Sequence, residues 1–393
     1  MSLNNFPVLC LGEIFEILYK DGSLGSLEIS RKLTRSLYEY FINHSLNIRT
    51  IILDMNNNYT IQQRSTSPIE EEELNIFLYP NAKTNLTKIK TLITHGEYVD
   101  GLLSTASQIL CNLKEIQFIL ANSNYFATTF QDLSKLIESQ KSLENLLIKC
   151  SRSKPLGFKN IFQSLINTQF ESLAILTLEN VDFQSEQTIS NCSNYLTLLT
   201  SYCRNLKYFS GTINFKQQQQ VMDLIEFLKA SKNLEKVAIN DIKKIRTNGR
   251  SLNHIWVEKP IISSLATNTT NTKNTNGDNL FSEYLPEIGK SLPTTIKTFK
   301  VRNVLSFSPD CLKQFLANCK GELKYLGFAS CKDFSSAHLQ AIIDYIENKK
   351  RDGNCGVGDE ILKRLNVRGC YLINFEDLSY VKNFIKIVNG KPR

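Results

Sequence analysis

The chain has 393 residues, 42% of them hydrophobic and 21% charged. This composition excludes a wholly disordered chain, which has less apolar content and more charge, and no run of about 18 apolar residues is present to span a membrane. The net charge is +8, an excess spread too thinly to mark a nucleic-acid-binding protein.

The chain opens on Met1-Ser2-Leu3-Asn4-Asn5-Phe6-Pro7 without a basic stretch, and Glu13, Glu16 and Lys20 follow, so a secretory leader is not expected. At the other end, Gly390-Lys391-Pro392-Arg393 matches no retention or lipidation signal. Ten cysteines are too sparse for a disulfide scaffold, and no two stand as C-x-x-C. The histidines, His44, His95, His254 and His338, are scattered, so neither a metal nor a cofactor is expected. The reading is a cytoplasmic or nuclear protein with reduced thiols, most of them buried as small apolar groups, and with His338 on the surface.

In chain order, a helix is predicted first over 6–18, with Leu9, Ile14, Phe15 and Leu18 on apolar faces. A helix is predicted over 27–45, with Leu33, Leu37, Phe41 and Ile42 facing inward. A pattern of three apolar places, L-x-x-L-x-L, then recurs along the chain. Ile48-x-x-Ile51-x-Leu53 begins it, Leu113-x-x-Ile116-x-Phe118 follows, and then Leu143-x-x-Leu146-x-Ile148 and Leu173-x-x-Leu176-x-Leu178. Leu234-x-x-Val237-x-Ile239, Ile296-x-x-Phe299-x-Val301, Leu323-x-x-Leu326-x-Phe328 and Leu362-x-x-Leu365-x-Val367 continue it. Poorer copies stand at Ile89-x-x-Leu92-x-Thr94 and Leu206-x-x-Phe209-x-Gly211. Three copies end in the Asn or Cys that suits a sharp turn, at Asn56, Cys331 and Cys370.

Between copies the apolar residues take helical spacing. Phe126, Phe130, Leu133, Leu136 and Ile137 do so, as do Val221, Leu224, Ile225 and Leu228. Pro309-Asp310 and Ser335-Ser336 are helix starts, and Gln217 to Gln220 read as an exposed first turn. The unit is strand, turn, helix, loop, at a spacing near the leucine-rich range. The predicted fold is α/β: a leucine-rich-repeat solenoid over 46–393, a curved parallel sheet with helices on the convex side. A doubly wound α/β domain is the alternative, but its buried strands would be near-continuous apolar runs. A polar stretch over 263–279 is expected to be a disordered surface insert, interrupting a repeat whose candidate strand is Leu252-x-x-Ile255-x-Val257. Smaller polar loops are read at 62–73, ending in Glu70 to Glu73, and at 349–358.

No catalytic constellation is found. Gly353, Gly356 and Gly358 do not form a phosphate-binding fingerprint, and the hydrolase and zinc motifs are absent. Lys243, Lys244, Arg246 and Arg250 form the densest basic cluster and read as a solvated turn. The chain is therefore read as a non-enzyme.

Phe6-Pro7-Val8-Leu9-Cys10-Leu11-Gly12-Glu13-Ile14-Phe15-Glu16-Ile17-Leu18 resembles the opening helix of an F-box. With leucine-rich repeats behind it, the chain resembles the F-box/leucine-rich-repeat proteins of fungal type, with the second half of the F-box missing or degenerate in the helical segment 1–45. The resemblance implies a substrate-receptor-like subunit of a cullin-based ubiquitin ligase. Pro7, Leu11, Ile14, Phe15 and Leu18 would meet the ligase adaptor, and the repeats would hold a protein substrate. The alternative is a leucine-rich interaction scaffold unconnected to ubiquitin ligases. Strand geometry places the residue between the last two apolar places on the concave face. Those candidates for partner binding are Ile52, Gln117, Leu147, Thr177, Ala238, Lys300, Gly327 and Asn366. They show no single sign of charge, which suits a protein partner rather than nucleic acid or membrane.

Overall fold

The computed structural model describes residues 8–10, 27–44, 48–54, 75–96, 101–120, 126–150, 158–179, 181, 195–202, 204–213, 215, 217–241, 280–302, 306–331, 333–351, 361–370, 372–385 and 387–389. Outside them lie the adaptor candidates Pro7, Leu11, Ile14, Phe15 and Leu18, the insert 263–279, the Leu252 segment, Glu70 to Glu73, the Lys243 to Arg250 cluster and the glycines of 352–360.

Among the described residues, twelve strands form one sheet in strict chain order, and every pairing is parallel. They are β1 Val8–Cys10, β2 Thr50–Asp54, β3 Thr91–Gly96, β4 Glu115–Leu120, β5 Asn145–Cys150 and β6 Ile175–Glu179. Then come β7 Tyr208–Ile213, β8 Lys236–Asp241, β9 Thr298–Arg302, β10 Tyr325–Ala329, β11 Arg364–Asn366 and β12 Ile387–Asn389. The helices are α1 Leu27–His44, α2 Ala82–Asn85, α3 Leu102–Ile109, α4 Phe126–Glu138, α5 Phe158–Ser164 and α6 Tyr195–Tyr202. They continue with α7 Gln218–Ala230, α8 Leu280–Ser291, α9 Pro309–Asn318, α10 Ser336–Arg351 and α11 Phe375–Val381. Successive helices such as α3 and α4, α7 and α8, and α8 and α9 pack side by side. Helices pack about 8–10 Å apart and strands only about 4.8 Å, so stacking one helix per strand bends the sheet with the helices outside.

The repeat reading holds in full for the ten copies within the described residues. Every inward place is buried, from Ile48, Ile51 and Leu53 to Leu362, Leu365 and Val367. The poor copies are genuine strands, β3 and β7. At the inward place of Gly211, a Cβ would stand 2.6 Å from the Phe209 ring. Glycine there leaves room for that ring, which packs on Phe227 at 4.8 Å. In the other poor copy, Thr94 buries its hydroxyl without a partner among the described residues. Ser308 caps α9 by accepting the Cys311 N–H, with Pro309 in the first turn. Gln218 and Gln219 are exposed at the start of α7.

Buried glutamines, not singled out by sequence, tie neighbouring repeats together. The Gln140 amide donates to Leu110 O at 2.6 Å and its Oε1 accepts from Leu113 N at 2.9 Å. One repeat later, Gln169 donates to Gln140 O at 2.7 Å and accepts from Leu143 N at 2.8 Å. Each satisfies loop backbone groups that the solenoid shields from water.

Three expectations change. Val8–Cys10 is a strand and not part of a 6–18 helix: Val8, Leu9 and Cys10 align with Thr50, Ile51 and Ile52. The open edge of β2 offers unpaired backbone groups, whereas a lone helix of about 12–15 residues is marginal in water. α1 forms as predicted, with Ile42 buried and Phe41 packed on the core, but Tyr38 is more buried than Leu37. Finally, β8 bonds directly to β9, with Val237 opposite Phe299. The repeats flanking residues 242–279 are therefore sheet neighbours.

His338 is also corrected. It is buried, not on the surface. Its Nε2 donates to Phe307 O at 2.7 Å, and its Nδ1 accepts the Ser335 N–H at 3.1 Å. The ring stacks on Phe334 at 4.9 Å. This uses both nitrogens of a neutral imidazole, and a proton on Nδ1 would face the Ser335 N–H. Burial holds the His338 pKa below the ordinary histidine value, against the opposing pull of the Phe307 carbonyl and Asp333. As pH falls, the unfolded chain takes up this proton first, from about pH 6.5. The stability due to neutral His338 is therefore present above that pH and lost below it. Urea midpoints measured from pH 7.5 to 5 should fall, and His338→Gln should flatten that slope.

Candidate functional site

The helix-free face of the sheet is the candidate interface. Side chains alternate along a strand, so each repeat sends its inward places to the core and the intervening residues outward. The strand register brings the eight sequence-predicted residues into one row. Ile52 aligns with Ile93, Ile93 with Gln117, Gln117 with Leu147 and Leu147 with Thr177. Thr177 aligns with Ser210, Ser210 with Ala238, Ala238 with Lys300, Lys300 with Gly327 and Gly327 with Asn366. Ile93 and Ser210 were missed because they lie in the poor copies; extending the same rule to those copies finds both.

The row is not uniformly accessible. Ile52, Gln117, Leu147, Lys300 and Asn366 are half-buried, whereas Thr177, Ser210, Ala238 and Gly327 are buried. A second row lies two residues earlier on the same face. Tyr208 aligns with Lys236, Lys236 with Thr298, Thr298 with Tyr325 and Tyr325 with Arg364. Reading one residue per repeat passed over this row.

Charge along the face is uneven. Over β2 to β6 the outward residues include Ile52, Ile93, Leu147, Thr91 and Glu115, and Lys149 is paired with Glu179 at 3.4 Å. Over β8 to β11 they include Lys236, Lys300, Arg302 and Arg364, and no carboxylate among the described residues forms an ion pair with any of these four. Lys300 packs on an aromatic ring. Its Nζ lies 4.6 Å from the Tyr325 ring centroid, and a Cβ on Gly327 would come within 3.3 Å of Lys300 Cγ. The absent side chain at Gly327 is the space over which Lys300 reaches the ring. Burial lowers the Lys300 pKa, and Arg302 and Lys236 lower it further.

The strand-start rim adds to this field. Its residues are chained by backbone bonds such as Lys114 N to Lys90 O at 2.7 Å and Lys324 N to Lys297 O at 2.8 Å. Lys207 and Lys363 occupy the same rim. Glu144 bridges Lys114 at 2.7 Å, and Glu235 bridges Lys297 at 3.3 Å. Among the described residues, no His, Cys, Asp and Glu group could hold a metal ion, and no helix is long and apolar enough to cross a membrane.

The repeating strand–turn–helix unit, the all-parallel sheet in chain order and the buried L-x-x-L-x-L places define a leucine-rich-repeat solenoid of the α/β class. No family model matches the chain, and no curated protein matches it. Among solved structures it is similar to a Bacteroides fragilis protein, with TM-score 0.42 and 10% identity over 94% of this chain and 86% of that one. It is also similar to the leucine-rich repeat-containing protein LegL7 from Legionella pneumophila, with TM-score 0.44 and 11% identity over 87% of this chain and 91% of that one. A third likeness is to yeast Rad7, solved in complex with Elc1, with TM-score 0.40 and 12% identity over 90% of this chain and 65% of that one. Likenesses this remote say nothing about function.

Proposed function

We propose that the chain is a protein-interaction module whose concave face holds a protein partner, without chemistry of its own. The helix-free face of the sheet supports this reading. Twelve strands at about 4.8 Å spacing and about 17 Å of strand length give a face of about 900 Å2, against about 800 Å2 per partner in a standard protein interface. Its apolar residues Ile52, Ile93 and Leu147, beside Gln117 and Glu115, suit a folded protein surface. The test is affinity purification from the native cell, comparing the chain with Gln117→Arg and Leu147→Arg. Partners held by this face should be lost from both variants and kept by the convex-side variant Lys313→Gln. Equal recovery from all of them would overturn the reading.

A finer reading makes the module a substrate-receptor-like subunit of a cullin-based ubiquitin ligase. Its support is the F-box-like series Phe6-Pro7, Leu11, Glu13-Ile14-Phe15 and Leu18. The strand at Val8–Cys10 removes the first turn of the helix that an F-box would present, leaving less surface for an adaptor. Calorimetry with the adaptor subunit decides this point. A submicromolar complex abolished by Ile14→Asp with Phe15→Asp supports the ligase reading, and no measurable heat leaves the interaction scaffold alone.

A further inference from the structure

The basic end of the open face has a definite construction. Lys236 on β8, Lys300 and Arg302 on β9 and Arg364 on β11 share one side of the sheet. Lys300 is held against Tyr325 over the gap at Gly327, so its ammonium is half-buried yet lacks a carboxylate among the described residues. A half-buried cation without a counter-charge is unfavourable in the free protein, and it gains when an anion arrives in that low-dielectric setting. Arg302 and Lys236 press on the same ammonium, so a single incoming carboxylate relieves three like charges together.

We propose that Lys236, Lys300, Arg302 and Arg364 form the docking site for an acidic, Asp- or Glu-rich segment of the protein partner. The inference rests on the concave-face reading above and adds the chemistry and place of the contact. From β8 to β11 is three strand spacings, about 15 Å, which about five residues of extended chain cover. The segment lies across the strands, with one carboxylate against Lys300 and others meeting Lys236 and Arg364. Tyr208 stands beside its β8 end and Tyr325 lies under its middle, and both supply apolar contact. A polyanion is the poorer match. Continued along the face it would run onto Leu147, Ile93 and Glu115, whereas a protein can place an acidic stretch at one end and an apolar surface at the other.

Fluorescence anisotropy tests this with the full chain and a fluorescein-labelled hexaglutamate peptide. A labelled twelve-nucleotide thymidine strand is run in parallel, at about 50 and 150 mM salt. The peptide should bind, weaken with salt, and lose at least tenfold in affinity in Lys300→Met with Arg302→Gln. Lys83→Gln with Lys141→Gln removes the same charge elsewhere and should change affinity less than twofold. Arg302→Gln alone, at an exposed position, should weaken binding at least threefold and serves if the double variant fails to fold. Equal weakening by the control pair, or no binding by the unaltered chain, overturns the inference. In that event, loss of native partners from Gln117→Arg and Leu147→Arg would still uphold the concave-face reading. Tighter binding of the thymidine strand, abolished at the same residues, overturns both.

Discussion

Leu326→Asp should unfold at least the C-terminal repeats. Leu326 is fully buried and aligned with Phe299 on one side and Leu365 on the other. A carboxylate there has no partner and no route to water. The cost of several kcal/mol is comparable with much of a domain's total stability of about 5–15 kcal/mol. Each repeat of a solenoid leans only on its neighbours, so damage at β10 spreads to β9 and β11 before it reaches β4. Circular dichroism melting should show the loss of a large part of the cooperative transition. Unchanged melting would contradict the stacking of these strands.

Phe281→Ala should split the solenoid's unfolding in two. The Phe281 ring meets Phe215 at 4.6 Å and Phe307 at 5.7 Å. Phe307 in turn meets Phe328 at 5.3 Å and Phe334 at 6.2 Å. This aromatic chain crosses the join between the repeats that flank 242–279. Removing a buried phenylalanine costs about 3–5 kcal/mol, here concentrated at a single repeat boundary. Weakening one nearest-neighbour interface in a linear array uncouples the blocks on either side. Urea denaturation followed by circular dichroism should change from one transition to two, and Phe170→Ala, at an exposed site, should leave one. A single transition with an unshifted midpoint would show that the aromatic chain does not couple the halves.

The inward places were readable because they obey two short rules, alternation along a strand and a fixed spacing between the three apolar positions. Even the copies that break the chemistry, with Thr94 and Gly211 in apolar places, keep the spacing and form strands. The outward row from Ile52 to Asn366 was readable for the same reason, since one period places both faces. The buried glutamines Gln140 and Gln169 were not, because a polar residue near a helix end reads as solvated until the neighbouring repeat covers it.

His338 was misread for the same reason: Phe307 O, which its Nε2 reaches, arrives from another segment of the fold. Local pattern favoured a helix over 6–18, but the unpaired edge of β2 takes Val8–Cys10 as a strand. The sequence by itself determined the repeat, its inward places and the parallel order of the strands. Only the tertiary structure decided that Lys236 and Lys300 are neighbours. They stand on either side of 242–279, and no local period relates them. Pairing of β8 with β9 brings them together, and Gly327 on β10 gives Lys300 the space to reach Tyr325. A like-charge cluster costs energy that no local pattern predicts, and the burial of the surrounding repeats holds it in place.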